Sequence, residues 1–191
     1  MKLVLASRNA HKVRELDALL KPHEVLALPD EVVLPPETGP TFIENALGKA
    51  RAAAAALDCV AIADDSGIEA AALDGRPGVR SARFAGEDAT DQQNLDKLLA
   101  DVPADGDTRV AYVCALVAVF PDGRELVTEA RCEGHLDHRP RGDGGFGYDP
   151  AFVPVDYSDG RTMAELGPEE KDAISHRGRA ARKLLAALLD P

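Results

Sequence analysis

The sequence predicts an α/β fold, a mixed central β-sheet with flanking helices, and three observations predict it. Short apolar runs of strand length alternate with segments of helical periodicity over the first hundred residues. Two long strand-like runs, Arg109–Phe120 and Arg124–Asp137, flank Pro121-Asp122-Gly123 as a hairpin, which excludes an all-parallel sheet. No internal repeat, low-complexity tract or linker divides the chain, so residues 1–191 read as a single domain.

Lys2–Ala6 is an apolar run that stops at Ser7-Arg8-Asn9. Val13, Leu16, Leu19 and Leu20 then recur at helical spacing, with Asn9 as the N-cap, so the opening reads strand, tight turn, helix. Glu24–Leu28 is a second extended run, followed by a Pro-rich connection. Thr41-Phe42-Ile43-Glu44 fits a capping box before an Ala-rich helix that ends near Leu57. Val60–Ala63 is apolar throughout, as a buried strand should be, and Ile68–Leu73 continues in extended form. Asp64 and Asp65, which lie between them, could both face one metal only if the chain turned there, which Gly67 permits. Gly75–Gly86 and Arg139–Tyr148 are glycine-rich and loop-like, and Thr90 caps a helix to about Ala100. Pro168 starts a short helical turn, and Ser175 caps the last helix, which runs through Leu189.

Charge and composition exclude whole classes. With 22 Lys+Arg against 33 Asp+Glu the formal charge is −11, which argues against a nucleic-acid partner, since a polyphosphate backbone needs a cationic footprint. Forty-five per cent hydrophobic residues exclude general disorder. No apolar run approaches the ~18–20 residues that span a bilayer, and the apolar start is too short for a signal peptide. Cys59, Cys114 and Cys132 share no metal-ligand spacing and read as reduced thiols, which points to the cytoplasm. The charge is also uneven. Phe84–Thr108 holds seven acids and one base, whereas Lys171–Lys183 holds five Lys/Arg and one Asp.

Four clusters could carry chemistry. Ser7-Arg8-Asn9-Ala10-His11-Lys12 lies where a helix N-terminus offers N–H groups and a positive dipole end. It is either a capped turn with a solvated lysine or a phosphate site with Lys12 as point charge. Asp64-Asp65-Ser66-Gly67 follows the buried strand; adjacent carboxylates repel, and their oxygen donors suit Mg²⁺. Gly144–Phe152 holds three of the chain's eight Phe and Tyr rings. Its glycines permit close backbone approach, Phe146 or Tyr148 offers a face to a base, and Asp149 offers an acceptor next to Gly147. Lys171, His176 and Arg177 fall where cations are unfavourable unless an anion or base is bound, because His176 and Arg177 open a helix. Glu37, in a Pro/Gly loop, is the better additional metal ligand; Glu44 is either a cap or a site residue.

Together, LASRNAHKVREL, ETGPTFIENALGKA, ADDSGIEAAALDGRPGVRSARFAG, GGFGYDPAF and TMAELGPEEKDAISHRGRA resemble, in order and over nearly the whole chain, the inosine triphosphate pyrophosphatase family. The resemblance implies two lobes around a nucleotide-binding cleft, usually in a homodimer. It also implies Mg²⁺-dependent hydrolysis of ITP, dITP or XTP to the monophosphate and pyrophosphate. Carried over position by position, Ser7 through Lys12 hold the triphosphate, Asp65 is general base and metal ligand, and Ser66 touches substrate. Glu37 helps hold the metal. Phe146, Gly147, Tyr148 and Asp149, with Lys171, His176 and Arg177, bind chiefly the base. Arg8 departs from the small residue common at its position, and Asp64 is a ligand, an orienting group or a tuner of Asp65. Two other readings stand beside this one: a related pyrophosphatase of modified pyrimidine or ordinary nucleotides, and a non-catalytic nucleotide-binding protein.

Overall fold

A computed structural model describes residues 1–189. In chain order the regular elements are β1 (Lys2–Leu5), α1 (Ala10–Leu19), β2 (Glu24–Ala27), α2 (Phe42–Leu57), β3 (Ala61–Ala70), α3 (Asp91–Asp101), β4 (Arg109–Val119), β5 (Glu125–Leu136), β6 (Phe152–Pro154), α4 (Pro168–Ile174) and α5 (His176–Leu189). Among the described residues the sheet has six strands in the order β2-β1-β3-β4-β5-β6. It is mixed, as expected. β1 is parallel to β2 (Leu3 opposite Val25) and to β3 (Leu5 opposite Ile62), while β6 is antiparallel to β5 (His135 opposite Val153). Among the described residues no helix is long and apolar enough to cross a membrane.

The chain divides into two compact units, which the sequence offers no linker to separate. Among the described residues, the first comprises Met1–Asp65, Cys114–Ala130 and residues 177–189; the second comprises Ser66–Val113 and Arg131–His176. In the first, Leu3, Leu5, Ile62 and Leu116 of the strands are buried with Leu16 and Leu20 from the α1 region and Leu184 of α5. In the second, Ile68, Leu95, Leu98, Tyr112, Leu136, Phe152 and Met163 form the core. Leu16 and Leu116 have no exposed surface, and cutting either to alanine would cost about 2–5 kcal/mol.

Local hydrogen bonds explain where helices start. Thr41 Oγ1 accepts from the Glu44 amide at 3.2 Å, and Thr90 Oγ1 from the Gln93 amide at 3.2 Å, with Gln93 Oε1 returning to the Thr90 amide at 2.8 Å. Several details differ from the sequence reading; Ile68–Leu73, expected in extended form, leaves the strand for a 3₁₀ turn at Ala71–Leu73. There is no turn at Gly67: β3 runs unbroken through Asp64-Asp65-Ser66-Gly67, so the two carboxylates leave opposite faces of one strand. Gly78–Arg83, expected as loop, forms a 3₁₀ turn because Ser81 Oγ accepts from the Ile68 amide at 2.8 Å and donates to the Gly78 carbonyl at 2.6 Å. β6 was not expected; it is a three-residue edge strand ending in Pro154, a position where proline's missing N–H does no harm.

Candidate active site

The first unit gathers the predicted phosphate turn and the paired aspartates. Asn9 caps α1: its Oδ1 accepts from the His11 and Lys12 amides at 2.9 and 3.3 Å, and Ser7 Oγ accepts from the Asn9 amide at 3.2 Å. Two helix N–H groups are therefore satisfied within the protein by the cap. Ala10 opens the helix on the surface, and His11 Nδ1 lies 3.0 Å from an Arg14 nitrogen. Arg8 reaches away from its own turn, donating to the Asp30 and Val32 carbonyls at 3.1 and 2.9 Å and to Asp30 Oδ1 at 3.2 Å.

Lys12 Nζ lies 2.9 Å from Asp64 Oδ2. Asp64 is fully buried and also receives Arg177 at 3.4 Å, while Arg177 donates to Glu15 Oε2 at 2.6 Å. Burial alone would raise the Asp64 carboxyl, but Lys12, Arg177 and Lys49 outweigh it and hold it well below the usual carboxylate range. Asp64 is thus a fixed anion that collects cations. Cys114 lies in the same environment, and burial, with Asp64 second, pushes its thiol up to about 12.

Asp65 leaves the other face of β3 and has the opposite tendency. Burial raises its carboxyl, and Glu37 raises it further, against the lowering hydrogen bond from Asn45 Nδ2 at 2.9 Å. Asn45 Oδ1 also accepts from the Gly39 amide at 2.7 Å, joining the Glu37-Thr38-Gly39 loop to Asp65. A Cβ on Gly39 would stand 2.8 Å from that oxygen, so any larger residue there must push Asn45 aside. Lys49, buried one helical turn after Asn45, donates to the Asp64 carbonyl at 2.7 Å and to Glu37 Oε1.

Asn45, Lys49 and Glu15 are site residues that the sequence reading missed. One signal was available for the first two: polar residues four apart on α2, among the buried positions Phe42, Ala46, Ala50 and Ala53. Glu44 lies in the first turn of α2 with its amide bound by Thr41 Oγ1, which places it at the helix start.

The second unit holds the predicted base-binding segment. Asp149 is buried and heavily engaged: Oδ1 accepts from Tyr112 Oη at 2.9 Å, and Oδ2 from Lys171 Nζ at 2.7 Å and the Phe146 amide at 3.0 Å. Gly145, at φ +75°, passes so close that a Cβ would meet Asp149 Oδ2 at 2.0 Å. Of the two candidate stacking rings, Phe146 is 47% exposed, with Lys171 Nζ 5.3 Å from its centroid. Tyr148 is buried and donates to the Ser81 carbonyl at 2.7 Å, which makes it an anchor of the loop. The Gly147 amide donates to Asp91 Oδ2 at 2.9 Å, so one acid of the Phe84–Thr108 block supports this loop. His176 is buried with its ring stacked on Tyr112, and Ser66 is half-buried on β3.

The donors of Glu37 and Asp65 are hard carboxylate oxygens. Among the described residues no group of three or more His, Cys, Asp or Glu is placed to hold a metal alone. A pair of carboxylates fits a divalent cation that keeps waters and substrate phosphates as its other ligands, the habit of Mg²⁺.

Known proteins share both sequence and fold. A model of the Ham1 family matches residues 3–187. The dITP/XTP pyrophosphatase of Geobacillus kaustophilus is 49% identical, covering 95% of this chain and 91% of the relative. That of Mycobacterium tuberculosis strain H37Rv is 50% identical, covering 98% and 95%. The structure of a HAM1 protein from Coxiella burnetii has a TM-score of 0.89 at 40% identity, covering 100% of both chains. The Staphylococcus aureus Ham1 protein has a TM-score of 0.88 at 39% identity, covering 100% and 98%. Matched in sequence over nearly its whole length and in fold throughout, this chain belongs to the Ham1 family.

Proposed function

We propose that the protein hydrolyses the nonstandard purine nucleoside triphosphates ITP, dITP and XTP at the α–β phosphoanhydride, releasing the monophosphate and pyrophosphate. The observation that carries the reading is the contrast on β3: Asp64 is locked as an anion by Lys12 and Arg177, whereas its neighbour Asp65 is raised toward proton acceptance beside Glu37. The near-half identity with proteins named dITP/XTP pyrophosphatase supplies the substrate class.

In this reading Ser7 to Lys12 receive the triphosphate, and Lys12 carries charge to it. Asp65 takes the proton of the attacking water, the water oxygen bonds to the α-phosphorus, and the bond to the bridging oxygen breaks to release pyrophosphate. Glu37 and Asp65 would hold Mg²⁺, which supplies charge neutralisation at the phosphates. Asn45 and Lys49 orient Asp65 and Glu37. Arg177, read from the sequence with the base end, is engaged by Glu15 and Asp64 and is assigned to the phosphate end instead, and Ser66 contacts substrate from β3. At the base end Phe146 offers its ring, the loop of Gly147, Tyr148 and Asp149 shapes the pocket, and Lys171 and His176 donate to the 6-oxo group. Adenine has an amino group there, and an unmatched buried polar group costs about 1–3 kcal/mol, enough for discrimination. The protein acts as a homodimer in the cytoplasm, where reduced Cys59, Cys114 and Cys132 are at home.

The test is a steady-state panel of ITP, dITP, XTP, ATP, GTP, UTP and TTP, with and without Mg²⁺ after chelation, and with products separated chromatographically. Preference for the first three, with pyrophosphate as co-product and activity restored by Mg²⁺, is expected. Preference for UTP or TTP, primary release of orthophosphate, or tight binding without turnover would each overturn the reading. Sedimentation at micromolar concentration tests the dimer.

A further inference from the structure

We propose that Tyr112 is a positioning residue for base recognition, fixing two base-end groups at once with one side chain. The proposal rests on the reading that Asp149, Lys171 and His176 lie at the base end. Tyr112 projects from β4, is buried, and has no place in the chemistry described above. Its hydroxyl donates to Asp149 Oδ1 at 2.9 Å, and its ring stacks on His176 with centroids 4.7 Å apart and planes inclined by 15°. Phe152 stacks on the same ring at 4.4 Å and 25°. The tyrosine is therefore held by β6 while it holds residues from two other segments.

The hydroxyl matters because of what Asp149 does with its other oxygen. Oδ2 accepts from Lys171 Nζ at 2.7 Å and the Phe146 amide at 3.0 Å. A carboxylate has about four lone-pair sites, and three are filled from within the protein. Asp149 is thus more a bracket for Lys171 and the Phe146 loop than a free acceptor for a ligand. Tyr112 sets the rotation of that bracket, and Gly145 leaves room for it, since a Cβ there would stand 2.0 Å from Oδ2. The hydroxyl stays a donor at any working pH, because burial, and Asp149 after it, push its ionisation well above the ordinary tyrosine value.

The ring acts separately. His176 opens α5 directly after Ser175, and stacking on Tyr112 fixes the plane in which its nitrogens lie. Removing only the hydroxyl therefore disturbs Lys171 and Phe146 but leaves the His176 plane in place. Removing the ring disturbs both.

The experiment measures pyrophosphate release from ITP and ATP by the full chain carrying Tyr112→Phe, Tyr112→Leu or Lys171→Ala, with inorganic tripolyphosphate as a competing ligand that lacks a base. Tyr112→Phe is expected to raise KM for ITP about tenfold and to lower the ITP-to-ATP preference, with kcat within about twofold. Tyr112→Leu is expected to raise KM further, by about a hundredfold in all. Inhibition by tripolyphosphate is expected to be unchanged in both, a result that general loosening of the core would not give. Tyr112→Phe in the Lys171→Ala background is expected to add little. Wild-type KM and preference in both tyrosine variants, with Lys171→Ala altered, overturns the role of Tyr112 alone. Equal loss of kcat and tripolyphosphate inhibition overturns it too. Wild-type behaviour of Lys171→Ala overturns the base-end reading itself.

Discussion

Asp64 and Asp65 are consecutive on β3, yet each is held by a different partner at the same distance: Lys12 Nζ at 2.9 Å for Asp64 and Asn45 Nδ2 at 2.9 Å for Asp65. A cation fixes charge, whereas an amide donor in a buried site leaves the carboxyl able to exchange a proton. The period of two along a strand is what separates them.

Asp65→Asn is accordingly expected to lower kcat for ITP by about a thousandfold while KM changes little, since general-base catalysis contributes about 10²–10⁴. Asp64→Asn is expected to act on the fold, leaving Lys12 and Arg177 without their buried anion at a cost of about 3–5 kcal/mol. Steady-state kinetics and urea unfolding on both variants check the division. Intact turnover in Asp65→Asn would end the base assignment.

The two aspartates should also carry opposite signs in the pH dependence of stability. Asp64 titrates below its unfolded value, so its contribution is complete above about pH 4 and is lost as pH falls through the depressed folded value. Asp65 titrates above its unfolded value, so it favours the fold at low pH and weakens it as pH rises through the raised value. In chelator, Asp65→Asn should therefore have a higher urea midpoint than wild type at pH 7, with the gap closing toward pH 3. A gap that ignores pH would show that Asp65 carries no such penalty.

Glu37→Gln removes one of two carboxylates from the proposed cation site and frees the Lys49 ammonium from its anion. The expected result is a rise of about tenfold in the Mg²⁺ concentration for half-maximal rate, with much of the lost activity regained at high Mg²⁺. Titrating Mg²⁺ at fixed ITP measures it. An unchanged Mg²⁺ requirement would remove Glu37 from the cation site.

Gly39→Ala places a methyl 2.8 Å from Asn45 Oδ1 and 3.0 Å from Glu44 Cβ. Asn45 must move, and Asp65 loses its donor, so a fall in kcat is expected together with about 1–3 kcal/mol of lost stability. Paired kinetic and thermal measurements suffice. Full activity with an unshifted melting temperature would mean the loop yields more easily than its contacts suggest.

What the sequence made legible was local. Asn9, Thr41 and Thr90 announce helix starts because a cap reaches only two or three residues ahead. The alternation of buried and exposed residues in β5 and the buried run of β4 likewise sit in their own spelling. The site was legible as segments, and its wiring was not. Asn45 finds Asp65 twenty residues away, Arg177 finds Glu15 across 162, and Tyr112 finds Asp149 across 37. Such pairs leave no period in the sequence. The turn that Gly67 permits is not made for a related reason: glycine allows a bend, but pairing within the sheet carries β3 through it.

Cys114 extends the consequence of the buried Asp64 to redox chemistry. With its ionisation pushed up to about 12, only about one thiol in 10⁵ is thiolate at pH 7, and thiolate is the form that oxidants, nitrosating agents and alkylators attack. The sulfur sealed beside the fixed anion is thereby withdrawn from oxidants and alkylators alike.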